Sequence, residues 1–196
     1  MRLNNFDHLI KYLCNGFISL CSVFVMHAQE PPQQTLVDYM ASLETQFDVK
    51  FSYRTKDVLN KNPDVVVVWV GVNDVWHKSL MGTGTDYDKF GIFYDAVVKK
   101  IQAVGAKVVV VTPAVIGERN DFSNSQDGDL NQYSNWIRKY AAANQLGLVD
   151  LRKSFHDYSV ANNPENKESG ILTYDRVHLN EKGNALVAAE MWKAIQ

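Results

Sequence analysis

Two short polar blocks carry the residue types that could work on an acyl group. Gly71-Val72-Asn73-Asp74 directly follows the apolar run Val65–Val70, and Asp175-Arg176-Val177-His178-Leu179-Asn180 precedes the last apolar-periodic segment. His178 supplies an imidazole, the side chain most often used as a general base. Asp175, three residues earlier on a turn, can orient that ring and stabilise the charge it gains. Asn73 can donate its amide to an oxyanion, and one such donor is typically worth about 2.7–4 kcal/mol of barrier lowering. Gly71 lets the backbone turn sharply and approach a substrate closely.

A competing chemistry starts from the two Asp-x-x-His pairs, Asp74/His77 and Asp175/His178. Brought to one place they could bind zinc or another divalent ion, although this spacing lacks the specificity of His-Glu-x-x-His. Among the tryptophans, Trp69 reads as core and Trp136 as a helix flank. Trp76, in the loop expected after Asn73, is the candidate for a substrate rim.

The elements that must position these blocks follow from hydrophobic period. Val65–Val70 is apolar without alternation, as in a strand covered on both faces. Residues 88–104 form an expected helix, with Phe90, Phe93, Val97, Ile101 and Val104 on one face and Gly105 ending it. Residues 107–112 and 146–151 read as further buried strands. Residues 130–143 read as a helix facing inward through Leu130, Tyr133, Ile137 and Tyr140. Residues 117–128 and 157–174 read as loops. Asn180 caps a last helix, 181–195, with Ala185, Leu186, Ala189, Trp192 and Ile195 as its apolar face. Alternating strands and helices give an α/β fold, a three-layer α/β/α arrangement with a parallel sheet. In such sheets ligands bind beyond the carboxyl ends of the strands, where both blocks are expected.

Composition narrows the class. The chain has 196 residues, 46% hydrophobic and 21% charged, with a formal charge of −2 and no basic run, which argues against nucleic acid as a partner. Residues 1–28 read as a secretory signal: Arg2 and Lys11, then an apolar run from Gly16 to Met26, then Ala28 before the expected cut. That run is too short to span a bilayer, so no stable membrane span is expected after signal removal. Both cysteines, Cys14 and Cys21, lie within residues 1–28, leaving the remainder without thiol or disulfide. A periplasmic or secreted location is the expectation. Residues 29–59 begin with a polar linker, Pro31-Pro32 among glutamines, followed by a helical pattern over 35–47 and a strand-like alternation over 48–53.

The blocks resemble those of the SGNH hydrolases, the GDSL-type esterases and lipases, over about residues 60–196. Asn62-Pro63-Asp64 through Gly71-Val72-Asn73-Asp74 is similar to the family's third block, and Asp175-x-x-His178 to its fifth; Val108–Pro113 is similar to the family's fourth-strand region. The resemblance implies a flavodoxin-like SGNH fold, Asn73 as oxyanion donor, Asp175 and His178 as acid and base, and no cofactor or metal ion. It implies a small-molecule or carbohydrate ester as substrate, hydrolysed by serine acyl transfer. The departure is that no Gly-Asp-Ser, the nucleophile block, occurs in the sequence, nor a clear second-block Gly. The first strand is thus expected to be missing or replaced. Residues 35–57 resemble the short N-terminal domain of secretins and TonB-dependent receptors, with a junction near 55–62. Ser52 is the candidate replacement nucleophile, ahead of Ser79. The alternative to an ester hydrolase is a non-catalytic cell-envelope protein or a truncated fusion product.

Overall fold

The computed structural model describes residues 22–25 (backbone), 59 and 62–195. The expected helix over 35–47, the strand over 48–53 and Ser52 lie outside these residues. So does the expected signal, apart from Ser22–Val25.

The chain order is β1 (Ser22–Val25), β2 (Val65–Trp69), α1 (Val72–Met81), α2 (Tyr87–Gln102), β3 (Lys107–Val111), α3 (Asp127–Asn144), β4 (Gly147–Val149), α4 (Leu151–Asn162) and α5 (Glu181–Ile195). The strands lie in the order β1-β2-β3-β4. β2, β3 and β4 are parallel, with Val66 beside Val108 and Val109 beside Gly147. Ser22–Val25 runs antiparallel to β2, Ser22 opposite Trp69 and Val25 opposite Val66. The place beside β2 is therefore filled by a stretch of the apolar run that reads as a leader.

The valine-rich strands divide their side chains between two cores because successive residues point to opposite faces. Val66, Val68, Val108 and Val110 pack with Phe90, Tyr94, Val98 and Ile101 of α2 and Leu130, Tyr133 and Ile137 of α3. Val67, Val109, Val111 and Val149 pack with Leu151 and Phe155 of α4, with Val187 of α5 and with Leu172 from the segment ahead of α5. This makes the expected three-layer α/β/α arrangement. Each fully buried aliphatic or aromatic side chain contributes roughly 1.5–3 kcal/mol of hydrophobic free energy.

Several expectations are corrected. Residues 72–81 are helical rather than turn and loop, and 151–162 form a helix where 157 onward reads as loop. In α4 the buried Leu151, Phe155 and Ser159 recur every four residues, and the Asp150 side chain accepts a hydrogen bond from Lys153 N–H at the N-terminus. The polar residues between them hide that period. The buried face of α2 is Phe90, Tyr94, Val98 and Ile101, so Phe93 and Val104 face solvent. In α5 Gly183, Asn184, Val187 and Ala188 are buried, while Trp192 is exposed. Gly183, lacking a Cβ, lets that helix lie close to the Leu172 backbone. Trp136 stacks on Tyr140 and meets Phe90 and Tyr94 edge-on, a packing role between α2 and α3. Among the described residues no helix is long and apolar enough to cross a membrane.

Candidate active site

β2 delivers the first block. At its end Gly71 takes φ 116°, a left-handed conformation costly for residues with a Cβ. The chain there turns from strand to helix, and Gly71 C=O accepts the first helical bond from Val75 N–H. Asn73 is consequently the second residue of α1, half-buried at the strand-end edge of the sheet. Its neighbour Asp74 is structural: Asp74 Oδ1 accepts Thr85 N–H at 3.0 Å, and Tyr133 OH donates to Thr85 C=O at 2.7 Å. These bonds tie α1 to the segment that leads into α2.

The second block sits at the tip of a tight hairpin. Thr173 and Leu179 form an antiparallel bridge. Tyr174 N–H donates to His178 C=O, and Asn180 N–H to Leu172 C=O. Asn180 also performs its expected capping role, since Oδ1 accepts Gly183 N–H at 3.0 Å. Between these clamps Asp175 turns back on His178. Asp175 Oδ1 accepts the backbone N–H groups of His178 at 2.8 Å and Val177 at 3.2 Å, while Oδ2 lies 2.6 Å from His178 Nδ1. Partial burial works against the Asp175 charge, but the His178 ring and these two N–H groups outweigh it and hold the carboxyl below its ordinary range. With Nδ1 turned to Asp175, Nε2 is the ring nitrogen left for a substrate proton.

Trp76 joins the two blocks. It lies one turn beyond Asn73 on α1, and its ring meets His178 edge-on, with centroids 5.5 Å apart. Trp76 and Val177 both pack on the core beneath α2 and α3. The amide-bearing helix turn and the imidazole hairpin therefore converge at one edge of the sheet. Trp76 belongs to a helix rather than the expected loop, and its ring borders the imidazole. Ser79 is exposed near the far end of α1. The two Asp-x-x-His pairs do not assemble: Asp74 is engaged with Thr85, and among the described residues no three His, Cys, Asp or Glu side chains gather as a metal ion would need. One buried acid next to the hairpin, Glu118, escaped the sequence reading because it follows Gly117 in a stretch that reads as polar loop. The apolar residues Ala114, Val115 and Ile116 just before it were the available signal.

The model of the GDSL-like Lipase/Acylhydrolase family matches residues 34–186. The chain belongs to this family. The match opens ahead of the boundary near residue 60 that the motifs suggest, and the resemblance of 35–57 to receptor domains does not emerge from it. Among solved structures, this GDSL-like hydrolase chain is similar to AlAXEase, an acetyl xylan esterase, at 62% identity and a TM-score of 0.71, covering 72% of this chain and 71% of that one. It shares the fold of a catalytic mutant of Axe2, an acetylxylan esterase from Geobacillus stearothermophilus (20% identity, TM-score 0.61, 71% of this chain and 63% of that one). It also shares the fold of LAE5, an alpha/beta hydrolase enzyme from the metagenome of Lake Arreo, Spain (23%, 0.61, 71% and 62%). The chain thus spans less than two thirds of the length of the latter two. None of the curated proteins compared matches it.

Proposed function

We propose that this GDSL-like chain hydrolyses acetyl esters on sugars, of the kind carried by acetylated xylan. The Asp175–His178 pair seated against Trp76 carries the reading, and the 62% identity with an acetyl xylan esterase supports the substrate class. A serine hydroxyl attacks the acetyl carbon as its proton passes to His178 Nε2. Asp175 offsets the charge on the imidazolium, and Asn73, with the first turn of α1, faces the oxyanion. Collapse expels the sugar oxygen, which takes the proton back from His178. Water then repeats the sequence on the acetyl-serine, freeing acetate and the serine. Gly71 admits the substrate to the turn, and Trp76 offers a ring for a sugar face. No cofactor takes part.

Gly-Asp-Ser is missing from the sequence, which leaves the nucleophile unassigned, with Ser52 the first candidate to test. The test is acetate release from acetylated xylan and turnover of nitrophenyl acetate, set beside His178→Ala. Equal rates in the two proteins overturn the assignment. A fluorophosphonate probe read by peptide mass tests the nucleophile: labelling that survives Ser52→Ala excludes Ser52. The lost Gly-Asp-Ser block favours one other reading, a non-catalytic envelope protein. Neither turnover nor labelling is expected in that case. The composition of residues 1–28 supports export to the periplasm or beyond, which predicts an N-terminus at Gln29 in the exported protein.

A further inference from the structure

Glu118 lies seven residues beyond β3 and is 1% exposed. A carboxyl group removed from water is costly unless its oxygens are hydrogen-bonded. Here Oε2 accepts Ile171 N–H at 2.8 Å and Oε1 accepts Leu172 N–H at 2.5 Å. In an extended strand successive N–H groups point to opposite sides. Two consecutive ones meeting a single carboxylate form a concave anion seat, which holds the backbone in a turned conformation. Ile171 and Leu172 are the foot of the hairpin whose tip bears Asp175 and His178.

The chain around Glu118 grips the same hairpin elsewhere. Gly117 N–H donates to Arg176 C=O at 2.9 Å, between the two site residues, and Glu118 N–H donates to Glu168 C=O at 3.0 Å. Glu118 C=O accepts Asn163 Nδ2 at 3.0 Å, anchoring the clamp to the end of α4. Residues more than fifty positions apart in sequence are joined by one side chain.

We propose that Glu118 is a positioning residue of the ester-hydrolysing site: its carboxylate seats the foot of the Asp175–His178 hairpin and so fixes the imidazole against Trp76. This rests on the reading of Asp175 and His178 as the acid–base pair. A neutral amide cannot replace the carboxylate, because its NH2 would face one of the two N–H donors.

The test uses the full-length protein labelled with nitrogen-15. Long-range proton–nitrogen spectra report which nitrogen of His178 carries the proton, and hydrogen exchange reports the Ile171 and Leu172 amides. The unsubstituted protein is expected to hold the proton on Nδ1. In Glu118→Gln the two amides exchange at least about tenfold faster, and His178 becomes a mixture of both tautomers. Val66 and Val110 in the sheet keep their slow exchange. Glu118→Asp, which keeps the charge on a shorter stem, restores part of the Nδ1–H form; it also decides the matter should Glu118→Gln fail to fold. An unaltered His178 ring alongside freely exchanging Ile171 and Leu172 amides overturns the proposal, as does an unsubstituted protein without the Nδ1 proton. These signals need no turnover, so failure of the esterase reading would show separately, as absent acetate release from the unsubstituted protein.

Discussion

His178 is a surface imidazole made useful by its neighbours. Asp175 holds one nitrogen at 2.6 Å and Trp76 fixes the ring edge. His178→Ala should cut turnover about 10³-fold with little change in fold, measured as kcat beside circular dichroism. On the proposed mechanism Asn73 meets charge only in the transition state, so Asn73→Ala should lower kcat about 10²-fold and leave KM nearly unchanged. At this scale the sequence was readable where local spacing sets geometry: Asp175 and His178 meet because three residues of turn bring them together. It was unreadable where contact spans the chain. Nothing near Asp74 announces Thr85, and nothing near Glu118 announces Ile171.

The elements show the same division. The strands stand out because a run of valines admits few other structures, and the three-layer order follows from their alternation with helices. α1 was hidden by Gly71 and the turn-forming Asn73-Asp74, which resemble a loop until the left-handed Gly71 is seen to start a helix. The faces of α2 and α5 were misjudged because neighbouring apolar residues offer two overlapping stripes, and only packing against the sheet chooses one. Gly183 in α5 gives this a measurable form. A Cβ there would lie 2.1 Å from Leu172 C=O, so Gly183→Ala must push the helix off the hairpin foot. We expect a loss of about 1–3 kcal/mol in urea unfolding, with a drop in esterase rate, since Leu172 is also the residue seated on Glu118.

Across the molecule, charge fastens the α3–α4 side. Arg138 meets Asp150 through two bonds of 2.8 Å, and Thr112 Oγ1 donates to the same carboxylate. Arg152, beneath them, pairs with the buried Asp127. Burial opposes the charge of Asp150, but Arg138, Lys153 N–H and Thr112 outweigh it and keep its carboxyl below the ordinary range. An acid with a lowered folded pKa adds stability above its unfolded value, near 3.9, and surrenders it as pH falls through the folded value. Arg138→Ala should therefore cost about 2 kcal/mol at pH 7 and progressively less as the pH falls through the folded pKa of Asp150, flattening the acid limb of urea-midpoint curves.

On the proposed export, a leader peptidase would discard the four residues Ser22–Val25 that lie along β2. Export and completion of the sheet would then compete for one peptide. Loss of those residues would free the amide and carbonyl groups of β2 that they pair, leaving them available to another extended chain. On this view, trimming at Ala28 turns a closed flank into an adhesive one. The processed protein would self-associate at concentrations where its precursor stays monomeric.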